Sequence, residues 1–261
     1  MRPTLKKLAL IALLAGCWQP AFAISVIWTA DLTDTGNGVQ VIDGSENTWG
    51  NTYEYTDKGV TATVTAWAID KNETVFQAAA VSVKAGGSGA CNAPENGNVG
   101  NCLSGDNHAR LDNKSQQDFL LIRFDATEAP AYETLFQSLD IFTPKNSEYE
   151  LSYWIGTDVP QDLTGMDYSN LGANGFQLRG TLSYTPPTNS KVDMIVNHTL
   201  VTPQTAVAAD YGNALLIGFT PSNTTTSEVY INSVVSQVPL PAPLLLLIGG
   251  LVSLGLFRRK A

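Results

Sequence analysis

The chain has 261 residues, with 15 Lys and Arg against 24 Asp and Glu, a net charge of −9 and a pI near 4.6. So acidic a surface repels nucleic acid and anionic lipid, and a nucleic-acid partner is excluded. Its two histidines, His108 and His198, stand in neither a Gly-x-Ser-x-Gly elbow nor a His-Glu-x-x-His helix, so the expectation is a protein that is not an enzyme. A secreted hydrolase of the paired-carboxylate kind is the remotest alternative, left open by the number of acids.

Arg2, Lys6 and Lys7 precede an apolar core from Leu8 to Leu14, followed by Gln19-Pro20-Ala21-Phe22-Ala23. This reads as a secretory signal peptide, residues 1–23, with Ala21 and Ala23 as the small residues of the cleavage site. Leu14-Ala15-Gly16-Cys17 offers the alternative of a lipobox, in which Cys17 becomes a lipidated N-terminus. Cleavage after Ala23 is preferred, because that site is well formed and the other end of the chain already supplies an anchor.

About 215 residues follow, from Ile24 to Gln237, enough for one large domain with its own core. Helical periodicity is nearly absent. Strand signals fall at Ser25–Thr29, Val39–Ile42, Gly59–Ala68, Val75–Lys84, Asp118–Phe124, Leu135–Phe142, Tyr149–Ile155, Phe176–Tyr184, Val192–Leu200, Ala214–Thr220 and Glu228–Val235. Gly59–Ala68 alternates with a two-residue period, whereas Phe119-Leu120-Leu121-Ile122 is a continuous apolar run, the pattern of a strand buried on both faces. No repeat of fixed period occurs, which disfavours a propeller or a β-helix. The predicted fold is therefore all-β, a two-sheet jelly-roll-like β-sandwich over residues 24–237. Ala126–Glu133 holds at most a short helical turn, limited by Pro130.

Three stretches of this domain suggest chemistry. Trp49, Asn51, Tyr53, Glu54 and Tyr55 set aromatics among polar groups. If extended, the segment points Tyr53 and Tyr55 the same way, and such rings can stack on sugars while Asn51 and Glu54 bond hydroxyls. Packing of a loop onto the sandwich is the plainer reading. Next, Cys91 and Cys102 lie in a long Gly- and Asn-rich connection, Gly86–Gln117. In an exported body they most simply form one disulfide that staples it. Last, Asp106, Asp112, Asn113 and Asp118 form the densest set of oxygen donors. Calcium is the metal such a set would take, although the same side chains also serve turns by bonding backbone.

The chain ends with Val238-Pro239-Leu240-Pro241-Ala242, Pro243, an apolar run to Phe257, and Arg258-Arg259-Lys260. As a helix, the uncharged stretch from Ala242 spans about 24 Å, a short transmembrane helix, and the basic cluster keeps its end cytoplasmic. Motif, helix and basic terminus together resemble the PEP-CTERM sorting signal of the VPLPA type, residues 238–261. The resemblance implies an exosortase partner that cuts near the motif, and a helix that holds the chain in the inner membrane only before processing. The chain lacks the glutamate of the commonest Pro-Glu-Pro form and adds Pro243, so the scissile bond stays open.

A second segment, His108–Asp125 with Asp118-Phe119-Leu120-Leu121-Ile122-Arg123-Phe124-Asp125, is similar to exosortase-dependent surface proteins of unassigned function. Those proteins pair it with a strand ending in Trp-x-Gly, matched here by Trp154-Ile155-Gly156. The implied destination is the cell surface or extracellular matrix, in a structural or adhesive role. A carbohydrate-binding module of the exopolysaccharide matrix is the alternative. Both ends removed, with their six bases, nine bases face 24 acids, and the body carries −15.

Overall fold

The computed structural model describes residues 25–33, 40–41, 49–92, 110–114, 116–124, 134–188, 191–221 and 227–239. Within them the chain is all-β, without an α-helix. Its first strands are β1 (Ser25–Asp31), β2 (Gln40–Val41), β3 (Tyr53–Asp57), β4 (Val60–Asp70), β5 (Phe76–Lys84), β6 (Gly87–Cys91) and β7 (Leu111–Asp112). There follow β8 (Gln116–Phe124), β9 (Leu135–Thr143), β10 (Tyr149–Gly156), β11 (Phe176–Tyr184), β12 (Met194–Thr199), β13 (Ala214–Gly218) and β14 (Glu228–Pro239). All eleven strand signals of the sequence correspond to strands, shifted at their ends by a few residues. Three strands were not among them: β3, β6 and β7.

The strands form one nearly closed antiparallel sheet in the order β11-β10-β13-β8-β4-β5-β6-β14-β9-β12. Strands β1 and β7 also pair with β14, and β3 with β4. The sheet changes direction within β5. Phe76–Ala79 pairs with β4, and Ala80–Lys84 pairs with β6. At the two ends of the order, the Tyr149 hydroxyl lies 2.6 Å from His198 Nε2, and the Tyr184 hydroxyl 3.0 Å from Met194 Sδ.

The largest core cluster joins the two halves of this order. Val64, Leu120, Ile122, Leu151 and Leu215 meet Trp28, Leu139, Ile141, Ile231 and Val234. Trp28 is fully buried, set edge-on to Phe124 at 4.8 Å, and its indole N–H donates to the Val60 carbonyl. A second cluster lies on the opposite face of β4, β8 and β13, where Trp67, Phe119, Leu121, Trp154 and Leu216 are covered by Val159, Leu163 and Leu171. The long connection between β10 and β11 thus roofs the outer face. That is why Phe119–Ile122 in β8 is apolar without interruption: successive side chains enter different cores.

The connection expected over 86–117 contains β6, whose Gly-Ser-Gly-Ala-Cys carries little intrinsic strand signal. Its small residues suit the space between β5 and β14. Gly87 has φ +128°, and a Cβ there would come within 2.3 Å of the Ile231 carbonyl oxygen. Only glycine lets the backbones approach so closely. Cys91 is fully buried and disulfide-bonded. Cys102 lies outside the described residues, as does the segment 126–133.

Strand β14 runs to Pro239, beyond the limit of Gln237 expected for the domain. Val26 pairs with Val238 and Ser25 with Pro239, and Val238 is fully buried. The first two residues of the Val238-Pro239-Leu240-Pro241-Ala242 stretch therefore belong to the last strand of the fold. Leu240, Pro241, Ala242, Arg258, Arg259, Lys260, Cys17, Ala21 and Ala23 lie outside the described residues. No helix among the described residues is long and apolar enough to cross a membrane.

Candidate functional site

The aromatic segment proposed for sugar is placed in the core. Tyr53 and Tyr55 do share a face of β3, as the two-residue period requires, but that face points inward and leaves them 4% and 1% exposed. They pair with Val64 and Ala62 on β4, and the Tyr55 hydroxyl reaches Ser88 Oγ at 3.2 Å. Burial pushes the Tyr55 phenol well above its ordinary pKa. Asn51 is buried as well and clasps one peptide: its Oδ1 accepts from Val81 N at 2.5 Å and its Nδ2 donates to Val81 O at 3.1 Å. Trp49 packs against Ala80 and Cys91. Glu54 is half-buried on the other face of β3, away from Tyr53 and Tyr55. The set Trp49, Asn51, Tyr53, Glu54 and Tyr55 is thus corrected from a binding edge to a structural one.

The oxygen-donor set is brought together in part. Asp112, Asn113 and Asp118 are all buried, and their oxygens accept hydrogen bonds from the protein itself. Asp118 accepts from Asn92 Nδ2 at 3.0 Å and from Asp112 N at 3.1 Å. Asp112 accepts from Lys114 N at 2.9 Å, and Asn113 accepts from Ser227 N at 3.0 Å. The Lys114 N–H to Asp112 bond is a turn bond of the kind Asp makes wherever a chain reverses, whereas the bonds from Asn92 and Ser227 tie distant segments to the turn. Asp106 lies outside the described residues, within which no group of three His, Cys, Asp or Glu could hold a metal.

A different cluster stands beside this turn. Arg110 pairs with Glu228, lies 5.6 Å above the Tyr230 ring, and donates Nε–H to the Tyr230 hydroxyl at 3.2 Å. Lys114 Nζ donates to the other Glu228 oxygen at 2.9 Å. Burial works against the Arg110 charge, but Tyr230 and Glu228 outweigh it and raise its pKa. Burial likewise pulls the Glu228 carboxyl upward, and the Lys114 hydrogen bond together with the Arg110 charge holds it below the ordinary range.

Next to Arg110 opens a cleft of about 490 Å³, lined by Lys84, Gly86, Arg110, Phe142, Pro144, Asp193 and Tyr230. The Phe142 and Tyr230 rings meet edge-to-face at 5.8 Å. A Cβ on Gly86 would come within 3.1 Å of Tyr230 and 3.2 Å of Phe142, so the missing side chain lets both rings pack down on the β5–β6 turn. Sequence reasoning missed this cluster because its members lie far apart in the chain: Arg110 and Glu228 are separated by 118 residues. No local motif could signal it.

The Asp118–Phe124 strand and the Trp154-Ile155-Gly156 stretch also meet. Phe119 of the first and Trp154 of the second stack with centroids 6.1 Å apart. Gly156, which ends the Trp-x-Gly motif, has no room for a side chain: a Cβ would fall 2.6 Å from Val159. These residues build the outer core. Comparison of the chain with protein-family models, curated proteins and solved structures finds no match.

Proposed function

We propose that this is an exported, non-enzymatic protein of the cell surface or extracellular matrix, sorted by an exosortase and structural or adhesive in role. The observation that carries the reading is the order of Val238-Pro239-Leu240-Pro241-Ala242, apolar run and Arg258-Arg259-Lys260 at one end, with a cleavable signal at the other. The body agrees with it, being acidic, disulfide-bonded at Cys91 and wholly β. Its architecture is best read as a two-sheet, jelly-roll-like sandwich, in which β5 is the strand shared by the layers and the Trp28–Leu120–Ile231 cluster is the filling.

The test is deletion of residues 238–261, or substitution of Arg258, Arg259 and Lys260 by Gln. Either change should abolish surface display and leave the chain in the periplasm or in the inner membrane. Unchanged display would overturn the proposal. The strand placement of Val238 and Pro239 adds a finer expectation. A protease needs an extended, accessible peptide, and Val238 is buried in a ladder with β1. The cut therefore falls C-terminal to Pro239, and mass spectrometry of the displayed protein should find Val238 and Pro239 retained. Calcium at Asp106, Asp112, Asn113 and Asp118 belongs to this proposal only as a test: excess chelator should lower the melting temperature if the ion is part of the turn.

A further inference from the structure

We propose that the cleft between the β5–β6 turn and β9 binds an acidic saccharide, a sugar ring bearing a carboxylate. Its volume, about 490 Å³, suits one or two sugar rings. Two planar faces are presented together, the half-buried Phe142 ring and the Arg110 guanidinium laid over Tyr230. Sugars stack their C–H faces on such surfaces, and a guanidinium adds a charge that an aromatic ring lacks.

The charge decides between acidic and neutral ligands. On a chain of net −9, two cations, Lys84 and Arg110, line this one cleft against a single carboxylate, Asp193, while Glu228 beside it is held by Arg110 and Lys114. Arg110 spends Nε on Tyr230 and Nη1 on Glu228. Its Nη2 has no partner among the described residues and remains a donor for an incoming carboxylate, with the Lys84 side chain lining the same cleft. Asp193 accepts from Lys145 N through one oxygen, leaving the second for a ring hydroxyl. The surrounding acidity excludes long polyanions of nucleic-acid charge density, and the cations give a neutral glycan nothing to match. The inference rests on the cleft and not on the sorting signal, so either can fail alone.

The test is titration calorimetry of the full-length protein with an oligoglucuronate of about four residues, beside a neutral cello-oligosaccharide of equal length. Saturable binding of the oligoglucuronate alone is expected, weakening as salt is raised. Lys84→Gln should weaken it about tenfold, and Phe142→Leu should weaken it as well, both with unchanged melting temperature. Lys71→Gln, an exposed cation on the β4–β5 turn, should leave it intact. Absence of oligoglucuronate binding, equal binding of the neutral oligomer, or indifference to Lys84→Gln would each overturn the proposal.

Discussion

Asn51 shows how much a single polar side chain can carry in this molecule. Both of its side-chain atoms are committed to the Val81 peptide, deep between β5 and the segment that leads into β3. Asn51→Ala should cost about 2–3 kcal/mol, since it deletes two hydrogen bonds and strands two buried backbone groups, and urea denaturation will measure it. Glu228 offers a test by pH. Its pKa is depressed in the fold, so the stability it contributes is complete above the unfolded-state value of about 4.3 and is lost as pH falls through the lower folded value. The wild type should therefore lose stability more steeply than Glu228→Gln as pH falls below about 4.3, in melting curves recorded at descending pH. The sequence could say that Tyr53 and Tyr55 share a face, because a period of two fixes relative direction. Which side of β3 met the core was not written locally. It followed from Val64 and Ala62 opposite and from Ser88 beyond them.

Strands were legible where alternation or an unbroken apolar run imposed them, as in β4, β8 and β14. The strand β6 was not, because its composition is that of a turn and its partner Ile231 lies in β14, near the other end of the chain. What holds it is the absence of side chains at a close crossing. Gly87→Ala would drive a methyl group into the Ile231 carbonyl from a left-handed backbone, and should destabilise by more than about 2 kcal/mol, or abolish folding outright. A thermal melt of the purified variant decides it. At the two free ends of the sheet, Tyr149 meets His198 on β12. Burial lowers the His198 pKa, so the neutral imidazole suits the fold, and protonation below about pH 6.5 should loosen this contact before the rest of the sheet. Hydrogen exchange of β12 amides at pH 7 and pH 5 will show whether it opens first.

The described domain is a nearly closed sheet around two cores that share β4, β8 and β13, with a disulfide at Cys91 on the strand that joins β5 to β14. Cys91→Ser should cost about 3 kcal/mol by loop entropy, measured in denaturant with and without reductant. The all-β class and eleven of the strands were readable because they depend on periodicity along the chain. The cleft was not, because it is assembled from β5, β9, β14 and the turn at Arg110, which only the closed sheet brings together. The same closure joins the ends of the domain. Ser25 stands opposite Pro239 on the β1–β14 ladder, one strand spacing apart. A chain whose first and last residues are neighbours can be re-cut: bridging them with a few glycines and opening the β4–β5 turn at Asn72 would give a circular permutant with every strand pairing intact. In the natural order, the described chain enters the ladder at Ser25 and leaves it at Pro239, so whatever is fused to either residue starts from the same edge of β1 and β14.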